Sequence, residues 1–208
     1  IAAQIAGAVH LARIVRELEL ANARLREWSM CDGLTGIANR RCFDQRLEET
    51  WQAHATSGKS LALLFVDVDC FKLLNDACGH LQGDEHLREI ARVCATFISR
   101  GAALVARYGG EEFAVLLPDC GLSEARIIAG RLRRQVEKSG LHHPCSPVSS
   151  RVTVSIGVCA MQPDDAVDAT VLVDTADRAL YAAKQASRNR VVSRRVRRAV
   201  RRIGQKDS

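Results

Sequence analysis

The stretch RYGGEEFAVLLP, residues 107–118, decides the fold. Two adjacent glycines lead into two adjacent carboxylates, and an apolar run follows. Residues 102–107 before the turn and 112–117 after it read as two strands of a hairpin joined at Tyr-Gly-Gly-Glu. Gly109 and Gly110 allow that turn to be tight, and Pro118 closes the second strand. Crowding Glu111 and Glu112 beside a hydrophobic core has two readings. Either the turn is merely exposed, or a cation sits against it.

Working outward, residues 61–69 (LALLFVDVD) form a strongly apolar strand ending in acids. Upstream, Gly33 and Gly36 break the chain, and Asn39 is placed to cap a helix with Phe43, Leu47 and Trp51 on one face. Residues 71–80 predict a short helix and turn, and residues 83–99 an amphipathic helix with Leu87, Ile90, Ala91, Cys94 and Phe97 inward. A helix from Ser123 to about Lys138, a strand within SSRVTVSIGVCA (149–160) and a last helix over 169–187 complete the pattern. The order α-β-α-β-β-α-β-α predicts an α/β fold of ferredoxin-like kind, with helices packed on a sheet.

Composition sets the class. At 208 residues, 47% hydrophobic and 26% charged, the chain is long enough for one substantial domain with an extension. No run approaches the ~20 apolar residues that span a bilayer. The eight cysteines are scattered without a Cys-x-x-Cys pair, which argues for a reducing, cytoplasmic setting. His142–Cys145 (HHPC) lacks a second ligand pair and reads as a loop. Residues 188–208 carry nine Lys or Arg and one acid, so the net charge of +6 belongs to this tail and the rest is near neutral.

Residues 1–30 read as a continuous helix. Heptad a positions at Ile1, Ala8, Val15, Asn22 and Ser29 place Gln4, Leu11, Leu18 and Leu25 at d. Leu at d with one Asn at a favours a parallel two-stranded coiled coil; a helix packed on its own domain is the alternative. The chain has no initiating Met, carries no signal peptide, and reads as starting inside a longer protein.

The chemistry begins with Asp67, which lies among Phe65, Val66 and Val68. An unpaired carboxylate there would cost several kcal/mol, so a cation partner is implied. If the hairpin pairs beside that strand, Asp67, Glu111 and Glu112 converge. Oxygen-only ligands suit Mg²⁺ or Mn²⁺ with a polyphosphate completing the shell. Backbone amides of the Asp69–Phe71 turn and the charge of Lys72 are placed to meet phosphate oxygens. Asn75 and Asp84 are suited to a base. A carboxylate accepts from both the N1–H and 2-amino donors of guanine, a pair that adenine lacks.

Taken in order, DGLTGIANRR (32–41), DVDCFKLLNDACGHLQGDEHL (67–87), RYGGEEF (107–113), VTVSIGV (152–158) and YAAKQASRN (181–189) resemble the successive signatures of GGDEF-domain diguanylate cyclases. The resemblance covers about residues 31–190. It implies a sheet of the nucleotidyl-cyclase and polymerase-palm type and condensation of two GTP into cyclic di-GMP with release of pyrophosphate. It also implies Mg²⁺ (or Mn²⁺), two ions per site, held by Asp67, the Val68 carbonyl and Glu111. By the same resemblance Asn75 and Asp84 read guanine, His80 and Phe71 belong to the substrate segment, and Lys72, Lys184 and Arg188 contact phosphates. Glu112 is the candidate general base, with exchange of the base and ligand roles between Glu111 and Glu112 left open. Each domain of this family binds one GTP, so two must face each other as a homodimer, which the N-terminal helix would join. An upstream sensor is expected; residues 1–12 resemble the exit helix of a GAF domain.

Two departures stand out. Many members carry Arg-x-x-Asp ahead of the Gly-Gly as an inhibitory product site, whereas here RGAA keeps Arg100 and puts Ala103 in place of the acid. Weak or absent product inhibition is expected. Ser187 stands where Gly is usual. The tail, residues 191–208, spaces Val192, Val196, Val200 and Ile203 as an apolar stripe on a basic helix. A solvated extension is favoured over membrane contact. No aromatic residue accompanies the arginines, and nucleic acid is not an expected partner.

Overall fold

The computed structural model describes residues 13, 16, 30–99 and 101–196. Arg13 and Arg16 are helical; the coiled-coil pairing expected for residues 1–30, the inhibitory-site residue Arg100 and the end of the basic tail lie outside the described residues. The elements are Ala38–Asn39 (β1), Arg40–Ser57 (α1), Leu61–Val68 (β2), Phe71–Cys78 (α2), His80–Phe97 (α3) and Leu104–Arg107 (β3). Glu112–Pro118 (β4), Leu122–Lys138 (α4), Val154–Met161 (β5), Thr170–Gln185 (α5) and Val191–Arg195 (β6) complete the chain.

The six strands lie in the order β1-β3-β4-β2-β5-β6. The central four, β3-β4-β2-β5, are antiparallel to their neighbours and reproduce the split βαβ arrangement of a ferredoxin-like fold. β1 and β6 add short parallel edges. β2 sits between two strands and under helices on both faces, which explains why all eight of its residues are buried. Its even-numbered residues, Ala62, Leu64, Val66 and Val68, pack with α3 and α4. Its odd-numbered residues, Leu61, Leu63 and Phe65, pack with α1 and α5. The period-2 alternation therefore sends Asp67 toward the α1–α5 face.

Local signals place the helices. The Asn39 side chain accepts from the Cys42 N–H as N-cap of α1, and Phe43, Leu47, Trp51 and His54 are buried beneath that helix. α3 starts at His80, three residues before the expected Gly83, because Gly79 ends α2 and opens α3 directly. At Gly157 on β5, an added Cβ would lie 2.2 Å from both the Ala176 carbonyl oxygen and the Leu180 nitrogen. Only glycine lets α5 approach β5 this closely.

One expectation is corrected. Residues 191–195, read as the start of a basic helical tail, are a strand. β6 pairs with β5 from Ile156↔Val191 to Ala160↔Arg195. The consecutive β-branched Val191 and Val192 suit a strand, and the exposed sheet edge beside β5 supplies the hydrogen-bond partners. No helix among the described residues is long and apolar enough to cross a membrane.

Candidate active site

The hairpin pairs beside β2 in the register that the acids require. Asp67 lies opposite Glu112 on β4 and opposite Ser155 on β5. The Val68 N–H donates to the Glu111 carbonyl at 3.3 Å, so the ladder continues to the turn and Glu111 flanks the end of β2. Asp67 is 5% exposed. Its Oδ2 accepts from Lys184 Nζ at 2.6 Å. Lys184 reaches it because the close contact at Gly157 lays α5 over this strand end. Burial nevertheless dominates and raises the Asp67 carboxyl from 3.8 to about 6; Lys184 opposes the rise, and Glu111 and Glu112 add to it.

The turn is held from outside. Tyr108 and Gly109 N–H groups donate to the Glu112 carbonyl at 2.8 and 3.2 Å. The Arg107 guanidinium donates to the Gly110 carbonyl from Nε (3.1 Å) and Nη2 (2.8 Å), and its Nη1 donates to both oxygens of Asp32. Thr35 donates to Asp32 from its backbone N and its hydroxyl. Burial would raise the Asp32 carboxyl, but Thr35 and Arg107 outweigh it and hold the group below its usual range. Gly109 has a reason other than the expected backbone freedom. Neither Gly109 nor Gly110 has positive φ; instead, a Cβ on Gly109 would lie 2.6 Å from Glu112 Oε2. Gly109 makes room for a carboxylate.

Among the described residues no group of three His, Cys, Asp or Glu side chains forms a ready metal cage. Mg²⁺ does not need one, since it commonly takes one or two carboxylates and completes its shell with substrate phosphates and water. A buried, destabilised carboxylate with two further acids at hand fits such an ion. In this structure Lys184 provides the compensating charge.

Asp69, two residues on, has the opposite character. It is 1% exposed, and its oxygens accept from the Thr153 hydroxyl (2.8 Å), the Ser155 hydroxyl (2.7 Å) and the Asn189 N–H (3.0 Å). Four neutral donors' worth of capacity is largely used, so Asp69 organises the site without needing a cation. It anchors the turn Ser187–Arg188–Asn189, in which all three residues have positive φ. That turn sets Arg188 on a cavity of about 500 Å³ shared with Tyr181, Lys184 and Gln185. A neighbouring cavity of about 360 Å³ connects Glu112 and Lys184 with Asp177, Arg178, Tyr181 and Arg194.

Across the strand end, α2 and α3 build a second part. Asn75 Oδ1 is buried with no hydrogen-bond partner. A Cβ on Gly83 would lie 1.9 Å from that oxygen and 3.2 Å from Phe71 Cζ. Phe71, Asn75 and Gly83 thus form one tight cradle, with half-buried Asp84 beside it. Lys72 and His80 are exposed on the same two helices. A larger cavity of about 560 Å³, lined by residues including Glu89, Arg92, Phe97 and Lys138, lies between α3 and α4 on the sheet face opposite Asp67. It holds none of these groups, and proximity to the chemistry outweighs size. Sequence reasoning missed Asp69, Gly83 and the Asp32–Arg107 clamp. Asp69 had a signal in the Asp-x-Asp spacing, but its three donors come from residues more than 80 positions away.

A ferredoxin-like sheet that brings a buried Asp to a Glu-Glu turn, with a lysine on the acid and a cradle across the strand end, defines a palm-type α/β domain. Residues 29–190 match the family model described as diguanylate cyclase, GGDEF domain, and the chain belongs to that family. It is 39% identical over 166 residues to diguanylate cyclase DgcP of Pseudomonas aeruginosa, covering 80% of this chain and 24% of that protein. Among solved structures it resembles the coiled coil and GGDEF domain of DgcB from Caulobacter crescentus in complex with c-di-GMP. That similarity has a TM-score of 0.80 at 30% identity and covers 91% of this chain and 98% of that one. The active GGEEF domain of a diguanylate cyclase from Vibrio cholerae matches at 28% identity and TM-score 0.67, covering 82% of this chain and 99% of that one. The chain spans 24%, 47% and 37% of the length of three curated relatives that it matches.

Proposed function

We propose that this domain condenses two GTP into cyclic di-GMP and two pyrophosphates, as a Mg²⁺- or Mn²⁺-dependent homodimer. The observation that carries the reading is Asp67, a buried carboxylate raised to about 6 by burial, with the charges of Glu111 and Glu112 adding to the rise. Such a group is costly in a resting fold and useful where a divalent cation arrives with the nucleotide. The named activities of the relatives agree with it.

Guanine fits the Phe71–Asn75–Gly83 cradle, where Asn75 Oδ1 and the Asp84 carboxylate accept from its N1–H and 2-amino donors. Lys72 and Arg188 take phosphate oxygens, and Lys184 transfers from Asp67 to the triphosphate. When bound, a divalent cation at Asp67, the Val68 carbonyl and Glu111 supplies charge that favours ionisation of the 3′-hydroxyl and departure of pyrophosphate, with two ions expected per site. Glu112 accepts the 3′-hydroxyl proton as the oxygen attacks the α-phosphorus of the other nucleotide and the bond to the β-phosphate breaks. Glu111 is the alternative base. Two domains face each other for both bonds to form, and residues 1–30 raise the effective concentration of the second.

Incubating the purified chain with Mg²⁺ and GTP, or ATP in parallel, tests this reading. Cyclic di-GMP from GTP alone is expected. Equal turnover of ATP would remove Asp84 from guanine selection, and GTP binding without product would replace the cyclase with a receptor. Product inhibition is expected to be weak because Ala103 stands where the inhibitory site needs an acid; strong inhibition relieved by Arg100→Ala would contradict that.

A further inference from the structure

The entry to α1 and its first turn hold two thiols that the site chemistry does not use. Cys31 is exposed and Cys42 half-buried. Cys31 pairs with Ala38 in an isolated antiparallel bridge. Asn39 then joins the two cysteine backbones through one amide group: its Nδ2 donates to the Cys31 carbonyl at 3.1 Å, and its Oδ1 accepts from the Cys42 N–H at 3.0 Å. The cap of α1 therefore ties the backbones of residues 31 and 42 to one side chain. Burial first, and the neighbouring Cys31 second, push the Cys42 thiol up, which leaves exposed Cys31 as the thiol that meets an oxidant.

We propose that Cys31 and Cys42 are a hydroperoxide-sensitive pair that closes to an intrachain disulfide. The Cys31 thiolate attacks a peroxide oxygen, the O–O bond breaks, and the sulfur becomes a sulfenic acid as water leaves. Cys42 sulfur then attacks that sulfur, the S–O bond breaks, and the departing hydroxyl takes the Cys42 proton as a second water. Two thiols lose two electrons and two protons, and hydrogen peroxide is reduced to two waters. The bond would tie the first turn of α1 to the residue preceding Asp32, which grips Arg107 and through it the Gly110 carbonyl. An oxidative signal would thereby reach the Glu111–Glu112 turn from the start of the domain.

The test uses the whole reduced chain, treated with hydrogen peroxide, alkylated with iodoacetamide and digested with trypsin. Cleavage after Arg26, Arg40, Arg41 and Arg46 separates the thiols onto peptides 27–40 and 42–46. The expected product is these two peptides cross-linked with the loss of two hydrogens, restored to separate peptides by dithiothreitol. In Cys42→Ser, which keeps the backbone N–H that Asn39 caps, the cross-link should vanish and dimedone should trap Cys31 as the sulfenic acid. Singly alkylated peptides after a peroxide dose that oxidises the other exposed cysteines, Cys78 and Cys145, would overturn the proposal. So would Cys31 linked to any other cysteine, including Cys31 of a second chain.

Discussion

Replacing Asp67 with Asn should stabilise the metal-free protein while destroying its site. In the fold the Asp67 carboxyl is raised from 3.8 to about 6. A raised acid is most favourable to folding when protonated, so the Asp67 contribution to stability is greatest below the unfolded value near 3.8 and falls as pH rises toward 6. Above that window the cost is constant, about 3 kcal/mol for the displacement. Asn removes this cost and keeps the side-chain volume. It also breaks the bond to Lys184, but that side chain is 34% exposed and can hydrate. A net gain of about 1–3 kcal/mol at pH 7 is expected, within the range seen when buried ionic groups are replaced. Urea denaturation of both proteins in chelator, from about pH 4 to pH 8, measures it; the difference between the two curves isolates Asp67 from other titrating groups. The reasoning is refuted if Asp67→Asn loses stability at pH 7, or if the difference does not change between about pH 4 and 6.

Three further substitutions test other links. Gly157→Ala drives a methyl into the backbone of α5 at 2.2 Å; denaturation should show a loss of about 3 kcal/mol, and an unchanged midpoint would contradict the close helix approach. Gly83→Ala should displace Asn75 and raise the KM for GTP about tenfold, the equivalent of one lost hydrogen bond to the base of about 1.4 kcal/mol. An unchanged KM would remove that cradle from base recognition. Ser187→Gly relieves a left-handed φ of 75° and should stabilise by about 1 kcal/mol, the steric cost less the entropy of glycine; a loss in the same denaturation assay would refute the strain.

Much of the fold was legible because its signals are local. The apolar run in residues 61–69, the Asn39 cap and the acids of the hairpin each name an element from a few neighbours. β6 was not legible, because Val192 and Val196 among arginines suit a solvated helix as well as an edge strand. Only the open edge of β5 selects between them. The same distinction separates Asp67 from Asp69. Both lie at the end of one apolar strand, and burial predicts that each needs a partner. Which acid needs a cation is decided by Thr153, Ser155 and Asn189, which reach Asp69 from β5 and the turn after α5. Gly109 was read as necessary for a tight turn; what the packing shows is that it yields space to Glu112. Spacing reveals that a small residue is needed, and only packing reveals what it makes room for.

The central claim is that these carboxylates join GTP to GTP. Cyclic di-GMP formation by wild type and Glu112→Gln at saturating GTP and Mg²⁺, with nucleotide binding measured on the same samples, tests it most directly. The account predicts product from wild type, a fall of at least about 100-fold in the variant, as removal of a general base requires, and GTP binding retained by both. Absence of product from the wild-type protein despite bound GTP would contradict it.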